Sequence, residues 1–556
     1  MLYIQGVTHA VQVQIFNCLR SWLVAGEVSV MELAETPLFA FAFEALAYED
    51  LFDAAVDVIC ELIHETQEID DNMRVIELIV PRVIALRPLL RDHHDDADKI
   101  RGYARIFAEA GETYLILLLQ HPETFFPIVE AIGECSAYPD LDIVPITFPF
   151  WMILAQSIGK KPTVPPQFPN AYQALVGVII QHLHFPTDAN SLVGQEAENF
   201  RSFRHVMGDT LKDCCYVLGT DTCLLAAYQM INTAMARSPD VTPWQDIEAP
   251  LFALRSMGAK VDASNNSTVP KIMDLIPTLP NHPRVRYAAL LIISRYSEWI
   301  NRHPDYIQFQ LQYIAAGFED QDSDVCAAAG QALRYICQDC KQAWQFFHPI
   351  VCMCDFHNTH LQHLVEYLPT LHTFLTTTGS HLAQDDRRQI YEAIAYIISA
   401  MPMERAAESL RTFSLDILAM VHSIANSRSV ATKQELTEVS SKFTTIRLPF
   451  LPILAYTLLQ TDWKTWRQCF ILFKLLAMNF RLLARTLVKK RGLFLTFSSR
   501  NMGQNMTLPN ARLEFFVMHS ISSAPLPFPP VHRSYGACLS LLKALATLAT
   551  YGSQER

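Results

Sequence analysis

Four cysteines and two histidines lie close together in the middle of the chain, and these residue types can bind zinc. They are Cys337, Cys340, Cys352, Cys354, His357 and His360. A CxxC followed by a CxC supplies the thiolate ligands that zinc prefers. The second pair does not have the spacing of a zinc finger, however, and Cys337 continues an apolar row that contains Leu333. Buried core cysteines therefore explain the pattern better than a metal site.

The sequence contains no pattern that is typical of a catalytic site. It has no GxxxxGK[ST] or GxGxxG loop for a nucleotide and no GxSxG nucleophile turn. The stretch HETQE at His64 lacks the second histidine of a zinc-protease helix. We therefore predict a protein that is not an enzyme and that has no catalytic residues, metal or cofactor. A helical enzyme with an unrecognised pocket is the alternative from that class.

Two groups of charged residues are candidates for binding a protein partner. The first group is acidic and begins a predicted helix: Glu65, Glu68, Asp70 and Asp71. It offers a basic partner one rim of a binding site, although helix capping also explains the paired aspartates. The second group is basic and spaced for one helix face: Arg467, Lys474, Arg481 and Arg485. Such a face can hold an acidic or phosphorylated peptide, and a plain basic surface is the simpler reading.

The charge of the chain is unevenly distributed. Residues 463–556 contain 13 Lys/Arg and 2 Asp/Glu, a net charge of +11. Because the whole chain has a net charge of −12, residues 1–462 have a net charge of −23. An acidic body attracts basic proteins by long-range steering and disfavours direct contact with a phosphate backbone. We therefore predict basic protein partners and no direct nucleic-acid partner; ordinary solubility charge is the alternative.

The elements that position these residues are predicted to be long helices with apolar residues on more than one side. Residues 64–92 have acids at the start and arginines toward the end, which complements a helix dipole. Two apolar rows run along this stretch: Met73, Ile76, Val80 and Ile84, then Val75, Ile79, Leu86 and Leu90. A helix with two such rows packs against neighbours on two sides. Pro81 is expected to bend this helix without ending it.

One segment has the hydropathy of a candidate membrane span. Residues 141–159 are largely apolar but include Asp142, Pro145 and Pro149. A buried helix explains these residues better than a transmembrane helix. We therefore predict no membrane partner.

An internal repeat gives the period of the array. Residues 282–300 can be laid over residues 322–340 at an offset of 40, which pairs Val285 with Val325. The same register pairs further apolar positions: Ala288 with Ala328, Ala289 with Ala329 and Tyr296 with Ile336. A period near 40 with two helices per unit is typical of HEAT repeats. We therefore predict an all-α solenoid of antiparallel helix pairs over residues 1–462, followed by a basic, atypical and poorly ordered segment at 463–556.

Four stretches, in this order, carry a resemblance to a known family. They are HETQEIDDNMRVIELIVPRVIALRPLL from His64, RGYARIFAEAGETYL from Arg101, FPFWMILAQ from Phe148 and FRSFRHVMGDTLKDCCYVLG from Phe200. The series resembles the transportin-SR and fungal mRNA transport regulator branch of the importin-β karyopherins, over about residues 9 to 460. None of these stretches is a catalytic motif.

The resemblance implies a HEAT superhelix that carries cargo through nuclear pores. It implies RNA-binding or serine/arginine-rich cargo proteins, nucleoporins and Ran-GTP as partners, and shuttling between cytoplasm and nucleus. It also implies further N-terminal repeats that hold Ran-GTP, which we expect this chain to lack. The family's arginine-rich cargo helix cannot be equated with Arg467, Lys474, Arg481 and Arg485, because the sequence after Trp463 does not match. A static HEAT scaffold, such as a phosphatase regulatory subunit, is the alternative.

Overall fold

The computed structural model describes most of the first 345 residues and two shorter stretches after them. The described residues are 7–345 with gaps at 160, 162, 189–191 and 238–241, then 368–376, 382–401, 405 and 409. These residues form α-helices and short 3₁₀ turns and contain no β-strand. The α-helices, numbered here in chain order, are α1 His9–Val24, α2 Val30–Ala34, α3 Pro37–Glu44, α4 Phe52–His64, α5 Ile69–Ala85, α6 Leu89–Asp92, α7 Ala97–Thr113, α8 Leu115–Gln120, α9 Pro122–Ser136, α10 Phe148–Ile158, α11 Gln167–His182, α12 Gly194–Leu218, α13 Thr220–Met235, α14 Gln245–Met257, α15 Val269–Leu275, α16 Pro283–Arg295, α17 Ser297–Arg302, α18 Ile307–Phe318, α19 Ser323–Gln345, α20 Leu368–Thr376 and α21 Gln384–Ala400.

The helices pack in two layers. In the first layer each helix contacts the next one along the array, in the order α1, α4, α7, α10, α12, α14, α16, α19 and α21. In the second layer α5 contacts α9, α9 contacts α11, and α11 contacts α13. Pairs such as α13 with α14 and α18 with α19 join the layers. This arrangement confirms the predicted α-solenoid of helix pairs.

Packing on both sides explains why apolar residues occupy so much of each helix. The buried apolar side chains form one continuous core from Phe16 to Met401. In the internal repeat, Val285, Ala288 and Ala289 of α16 are buried. Their counterparts Val325, Ala328 and Ala329 of α19 are buried as well. The two helices are neighbours in the first layer, and burial at the paired positions agrees with the predicted register of the repeat.

Several helix ends follow local chemistry that the sequence contains. Gly26 follows α1 with a positive φ of 69°, a conformation that glycine adopts without steric cost. The Asp96 side chain caps α7 by accepting a hydrogen bond from the Lys99 backbone N–H at 3.1 Å. Asp70 and Asp71 lie in the first turn of α5, whose N-cap residue, Glu68, makes no side-chain capping bond.

The single helix predicted over residues 64–92 is wrong. His64 ends α4, Pro81 lies inside α5 as expected, and the chain turns after Ala85 before α6 begins. Pro88 accounts for this break, because proline donates no backbone hydrogen bond and disfavours the helical conformation of the residue before it.

Two pairs of consecutive helices are divided at a buried tyrosine. Tyr114 separates α7 from α8, and Tyr296 separates α16 from α17. The Tyr114 hydroxyl lies 2.9 Å from Thr66 Oγ1, and the Tyr296 hydroxyl donates to the Leu254 carbonyl at 2.9 Å. Each hydroxyl is therefore satisfied by a residue of the preceding helix pair, a contact that the local sequence pattern does not contain.

The candidate membrane segment belongs to the packed array. A 3₁₀ turn at Val144–Thr147 leads into α10, whose Trp151 and Leu154 are buried. No helix in the described part of the chain has both the length and the apolar character of a membrane span. The predicted segment at 463–556 lies outside the described residues, and so does the basic stripe within it.

Candidate partner-binding surfaces

Charged side chains connect the first three helices of the first layer. Arg20 of α1 and Arg105 of α7 both donate to Asp57 of α4, at 3.3 Å and 2.7 Å. Of these helices, α4 and α7 approach closely, since a Cβ atom on Gly102 of α7 would lie 2.5 Å from Cε1 of Phe52 in α4. This close packing places Asp57 of α4 within reach of Arg105 of α7.

Acidic side chains gather where α4 and α7 end. Four glutamates form what we call the acidic cluster: Glu61, Glu65 and Glu109 lie around His64, and Glu112 lies beside Glu109. The His64 Nδ1–H donates to Glu109 Oε1 at 3.0 Å. The C-terminal end of a helix carries partial negative charge, so glutamates at this position are electrostatically unfavourable. The protein therefore holds an excess of negative charge at this point.

The pKa values of the acidic cluster reflect this crowding. Burial raises the pKa of Glu61, and the nearby Glu65 and Glu109 carboxylates raise it further against the opposing effects of His64 and Arg20. Burial and the Glu109 carboxylate raise the pKa of Glu112. The hydrogen bond to Glu109 is the main cause of a raised pKa of His64. A basic group from a partner would relieve this repulsion, since opposite charges favour the ionised carboxylates.

The structure assigns different surroundings to the residues that the sequence singled out. Glu65 belongs to the acidic cluster. The other three predicted acids, Glu68, Asp70 and Asp71, are exposed around the start of α5 and make no ion pair with described residues. The basic stripe of Arg467, Lys474, Arg481 and Arg485 lies outside the described residues.

Sequence reasoning missed most of the acidic cluster. His64 and Glu109 are 45 positions apart in the chain, so no short motif contains both. The sequence does contain one signal for this cluster, which is a spacing of four residues between charged side chains on each helix. Asp57 and Glu61 have this spacing on α4, and Arg105 and Glu109 have it on α7, one repeat later in the chain. That spacing places charges on one helix face, but the pairing of the two helices is needed to join the faces.

The cysteine and histidine group is only partly described. Cys337 is buried in the core, as the core reading predicted. The side chains of Cys340, Cys352, Cys354, His357 and His360 lie outside the described residues. No group of three or more potential metal ligands occurs among the residues that the structure does describe.

A cavity of about 310 Å³ opens between α6, α7 and α9. Its polar lining includes Arg91, His94, Glu134 and Tyr138. Glu134 already pairs with Arg87 at 2.7 Å and with Arg91 at 3.6 Å, and Tyr138 donates to the His94 carbonyl at 3.0 Å. These groups therefore contact each other and do not form a nucleophile with an adjacent general base.

Two family models match parts of the chain. The model described as the second TPR domain of Transportin-3/Importin-13 matches residues 95–182. The model described as the third TPR domain of the same proteins matches residues 266–352. The two matched segments lie in the order that the numbering of the domains requires.

Curated relatives align over most of this chain. An uncharacterised Schizosaccharomyces pombe protein is 32% identical over 417 residues, which cover 72% of this chain and 41% of that protein. The mRNA transport regulator MTR10 of Saccharomyces cerevisiae is 29% identical, with coverages of 74% and 42%. Transportin MOS14 of Arabidopsis thaliana is 26% identical, with coverages of 78% and 46%. The chain therefore spans less than half the length of these relatives.

Solved structures share the fold at low sequence identity. Importin13 in its cytosolic state superposes with a TM-score of 0.60 at 17% identity, over 79% of this chain and 50% of that one. Kap121p bound to Nup53p gives 0.53 at 16% identity, over 80% and 40%. Kap95p bound to RanGDP gives 0.53 at 11% identity, over 77% and 50%.

Proposed function

This chain belongs to the transportin branch of the importin-β superfamily, and on that premise we propose that it acts in a nuclear import receptor. The observation that carries the proposal is the ordered match to Transportin-3/Importin-13 domains within a helix-pair solenoid. Because the relatives are more than twice as long as the aligned region, the transport activity of the whole protein is part of the proposal. The receptor shuttles between cytoplasm and nucleus through the nuclear pore and catalyses no reaction.

The proposed cargo consists of basic or serine/arginine-rich segments of RNA-binding proteins. The acidic cluster supports this choice, because its four carboxylates outnumber the cationic groups beside them, which are His64 and Arg20, whose Nε lies 4.0 Å from Glu61 Oε2. Glu68, Asp70 and Asp71 extend the negative charge onto the start of α5. Guanidinium groups form bidentate hydrogen bonds with carboxylates, so an arginine-rich segment fits this surface well.

The proposed transport partners are nucleoporins and Ran-GTP. Solved structures of the same fold include one of Kap121p bound to Nup53p and one of Kap95p bound to RanGDP. These names describe those proteins, and we extend them to this chain through the family alone. Neither nucleic acid nor a membrane is a proposed partner, because residues 1–462 carry −23 and repel phosphate groups.

A pull-down with and without Ran-GTP distinguishes a carrier from a static scaffold. The chain is immobilised through its N-terminus in one experiment and through its C-terminus in a second. In each experiment it is incubated with serine/arginine-rich proteins and then with Ran-GTP or Ran-GDP. A carrier releases its cargo with Ran-GTP and keeps it with Ran-GDP. The same experiment is done with a longer version that spans the whole length of the relatives. If that version retains its cargo equally with Ran-GTP and with Ran-GDP, the static scaffold is favoured instead.

Charge removal at the acidic cluster tests the location of the cargo site. Glu65→Gln with Glu112→Gln removes two charges whose side chains make no hydrogen bond to described residues. We expect binding of an arginine-rich peptide to weaken several-fold, since electrostatic contacts of partly exposed groups contribute up to about 1 kcal/mol each. The matched control is Glu27→Gln with Glu35→Gln, two exposed acids near α1 and α2. Equal weakening by both pairs would show that only the net charge matters.

A further inference from the structure

A buried ion pair organises the contact between α12 and α14. Arg204 Nη2 donates to Glu248 Oε2 at 2.7 Å, and both side chains are less than a tenth exposed. The Arg204 guanidinium also lies over the rings of Phe252 and Phe185, at 4.1 Å and 4.5 Å. The charge of Arg204 is therefore neutralised within the core by the carboxylate of Glu248.

The two helices also approach closely one turn further along α12. A Cβ atom on Gly208 of α12 would lie 2.7 Å from Ser256 Oγ of α14. At the end of α14, a Cβ atom on Gly258 would lie 2.8 Å from Arg295 Cγ of α16. Because these glycines have no side chains, Arg295 lies against α14, and His205 of α12 also lies close to α14.

Three cationic or protonatable side chains result from this packing, and we call them the cationic cluster: His205, Arg255 and Arg295. Arg255 and Arg295 make no hydrogen bond and no ion pair with any described residue. The ring of His205 lies against Phe252, with centroids 6.0 Å apart, and no carboxylate bonds to it. Two unpaired arginines side by side are unusual in a protein whose first 462 residues carry −23.

The electrostatics of the cationic cluster agree with this geometry. Burial lowers the pKa of Arg255, and the neighbouring Arg295 and Arg204 lower it further, against Tyr287 and Glu248. Burial also lowers the pKa of His205, followed by the effects of Arg255 and Arg204. The nearby Asp209 pairs with Lys212 at 2.6 Å. The positive charges therefore repel one another with too few anions beside them.

We propose that the cationic cluster is a docking site for an acidic segment of a partner protein, with carboxylate or phosphate groups of that segment bound by Arg255 and Arg295. An arginine fork binds either group through two parallel hydrogen bonds. Partial burial strengthens such bonds, because the local dielectric is lower than that of water. The site is separate from the acidic cluster and does not depend on the transport function proposed above.

A protein segment fits this surface better than a nucleic acid. Nucleic-acid binding relies on an extended basic stripe that follows the phosphate backbone. Here the positive charge is confined to three neighbouring helices. Arg201, the next basic residue along α12, already pairs with Glu198 at 2.6 Å. A short acidic segment matches a site of this extent.

Peptide titrations on the full chain test the proposal. The probes are a fluorescent aspartate/glutamate-rich peptide, a version with phosphoserines, and an asparagine/glutamine version of the same length. We expect the two anionic peptides to bind and the neutral one not to bind. In Arg255→Gln with Arg295→Gln, affinity for both anionic peptides should fall at least about tenfold, since each lost contact is a hydrogen bond to a charged group. The arms with and without phosphoserine show which anion the forks prefer.

Control variants separate this site from general charge effects and from misfolding. Arg74→Gln with Arg302→Gln removes two exposed arginines elsewhere and should change affinity less than twofold. Arg255→Lys keeps the charge but not the fork, so we expect intermediate weakening. Addition of the acidic peptide should raise the pKa of His205, measured by nuclear magnetic resonance, because an anion beside it favours the protonated ring.

Three results would overturn the proposal. They are no binding of either anionic peptide to the parent chain, equal loss of affinity in the control variant, and an RNA oligonucleotide that binds more tightly with the same dependence on Arg255 and Arg295. Loss of Ran-GTP-dependent release would contradict the transport proposal but would leave these peptide measurements unchanged. The two proposals therefore fail separately.

Discussion

At the scale of single residues, the hydrogen bond between His64 and Glu109 gives a pH-dependent contribution to stability. The Glu109 carboxylate raises the pKa of His64, so the contribution is complete below the unfolded-state pKa and is lost as pH rises through the folded-state pKa. We expect Glu109→Gln to destabilise the protein at pH about 5.5, below the usual histidine pKa. At pH about 8.5 it should have no effect or stabilise slightly, because it then only removes a repelling charge. Denaturant midpoints at both pH values measure the difference.

The control for this prediction is Glu35→Gln, an exposed acid outside the acidic cluster. Its effect on the denaturant midpoint should be small and the same at both pH values. If Glu109→Gln behaves in the same way as the control, the hydrogen bond to His64 does not contribute to folding.

The buried pair of Arg204 and Glu248 provides a second prediction at the residue scale. Removal of one partner leaves an uncompensated charge in the core, which costs about 3–5 kcal/mol. Arg204→Met and Glu248→Leu should therefore each lower the thermal midpoint markedly. The double variant should lie closer to the parent, since apolar side chains of similar volume replace a buried ion pair at little cost.

Arg201→Met serves as the matched control on the same helix. Its pair with Glu198 is more than half exposed, and such surface pairs contribute about 0–1 kcal/mol. If the loss of stability in the double variant equals the sum of the losses in the two single variants, the two residues are not energetically coupled. That result would contradict the ion pair, whose atoms lie 2.7 Å apart.

At the scale of elements, small residues set how closely the first-layer helices approach. Ala288 of α16 and Ala328 of α19 are buried at equivalent positions of the repeat. Ala288→Arg or Ala328→Arg forces an unpaired charge into a helix contact, so each should destabilise by several kcal/mol. Thermal unfolding followed by circular dichroism measures the loss.

Ala10→Arg is the control for these two variants, because Ala10 is exposed on α1. It introduces the same side chain into a helix without burying it, and its effect should stay within about 0.5 kcal/mol. Melting of all three variants at the temperature of the parent would show that the helix contacts at the repeat are looser than the structure indicates.

At the scale of the whole molecule, net charge governs the binding of basic partners. With −23 on residues 1–462, an arginine-rich peptide should bind more weakly as salt rises, because exposed charges are screened over about 8 Å at physiological ionic strength. Phosphorylation of the peptide should also weaken binding, since phosphates are repelled by the acidic cluster. Titration of both forms at two salt concentrations tests this preference.

The variant Arg255→Gln with Arg295→Gln shows which site decides the preference. If the acidic cluster decides it, the preference for the unphosphorylated peptide is the same in this variant as in the parent chain. Tighter binding of the phosphopeptide to the parent would contradict the prediction and would indicate a basic cargo site, in the cationic cluster or in the stripe from Arg467 to Arg485.

The sequence by itself determined the fold class and the core of this protein. The two-sided apolar pattern, the alanines of the repeat and the offset of 40 residues predicted a helix-pair solenoid, and the buried positions of α16 and α19 agree with it. These features can be recognised in the sequence because buried positions in a helix recur every three to four residues. A short stretch of sequence is therefore enough to show them. The resemblance to transport receptors likewise rested on short stretches taken in order.

Only the tertiary structure decided which charges meet. The acidic cluster joins α4 to α7, and the cationic cluster joins α12, α14 and α16, so their members are separated along the chain by whole helices. The breaks at Tyr114 and Tyr296 depend in the same way on partners in the preceding helix pair. Electrostatic and hydrogen-bonding partners are set by distance in space, and in a solenoid that distance depends on how adjacent repeats pack, which local periodicity does not specify.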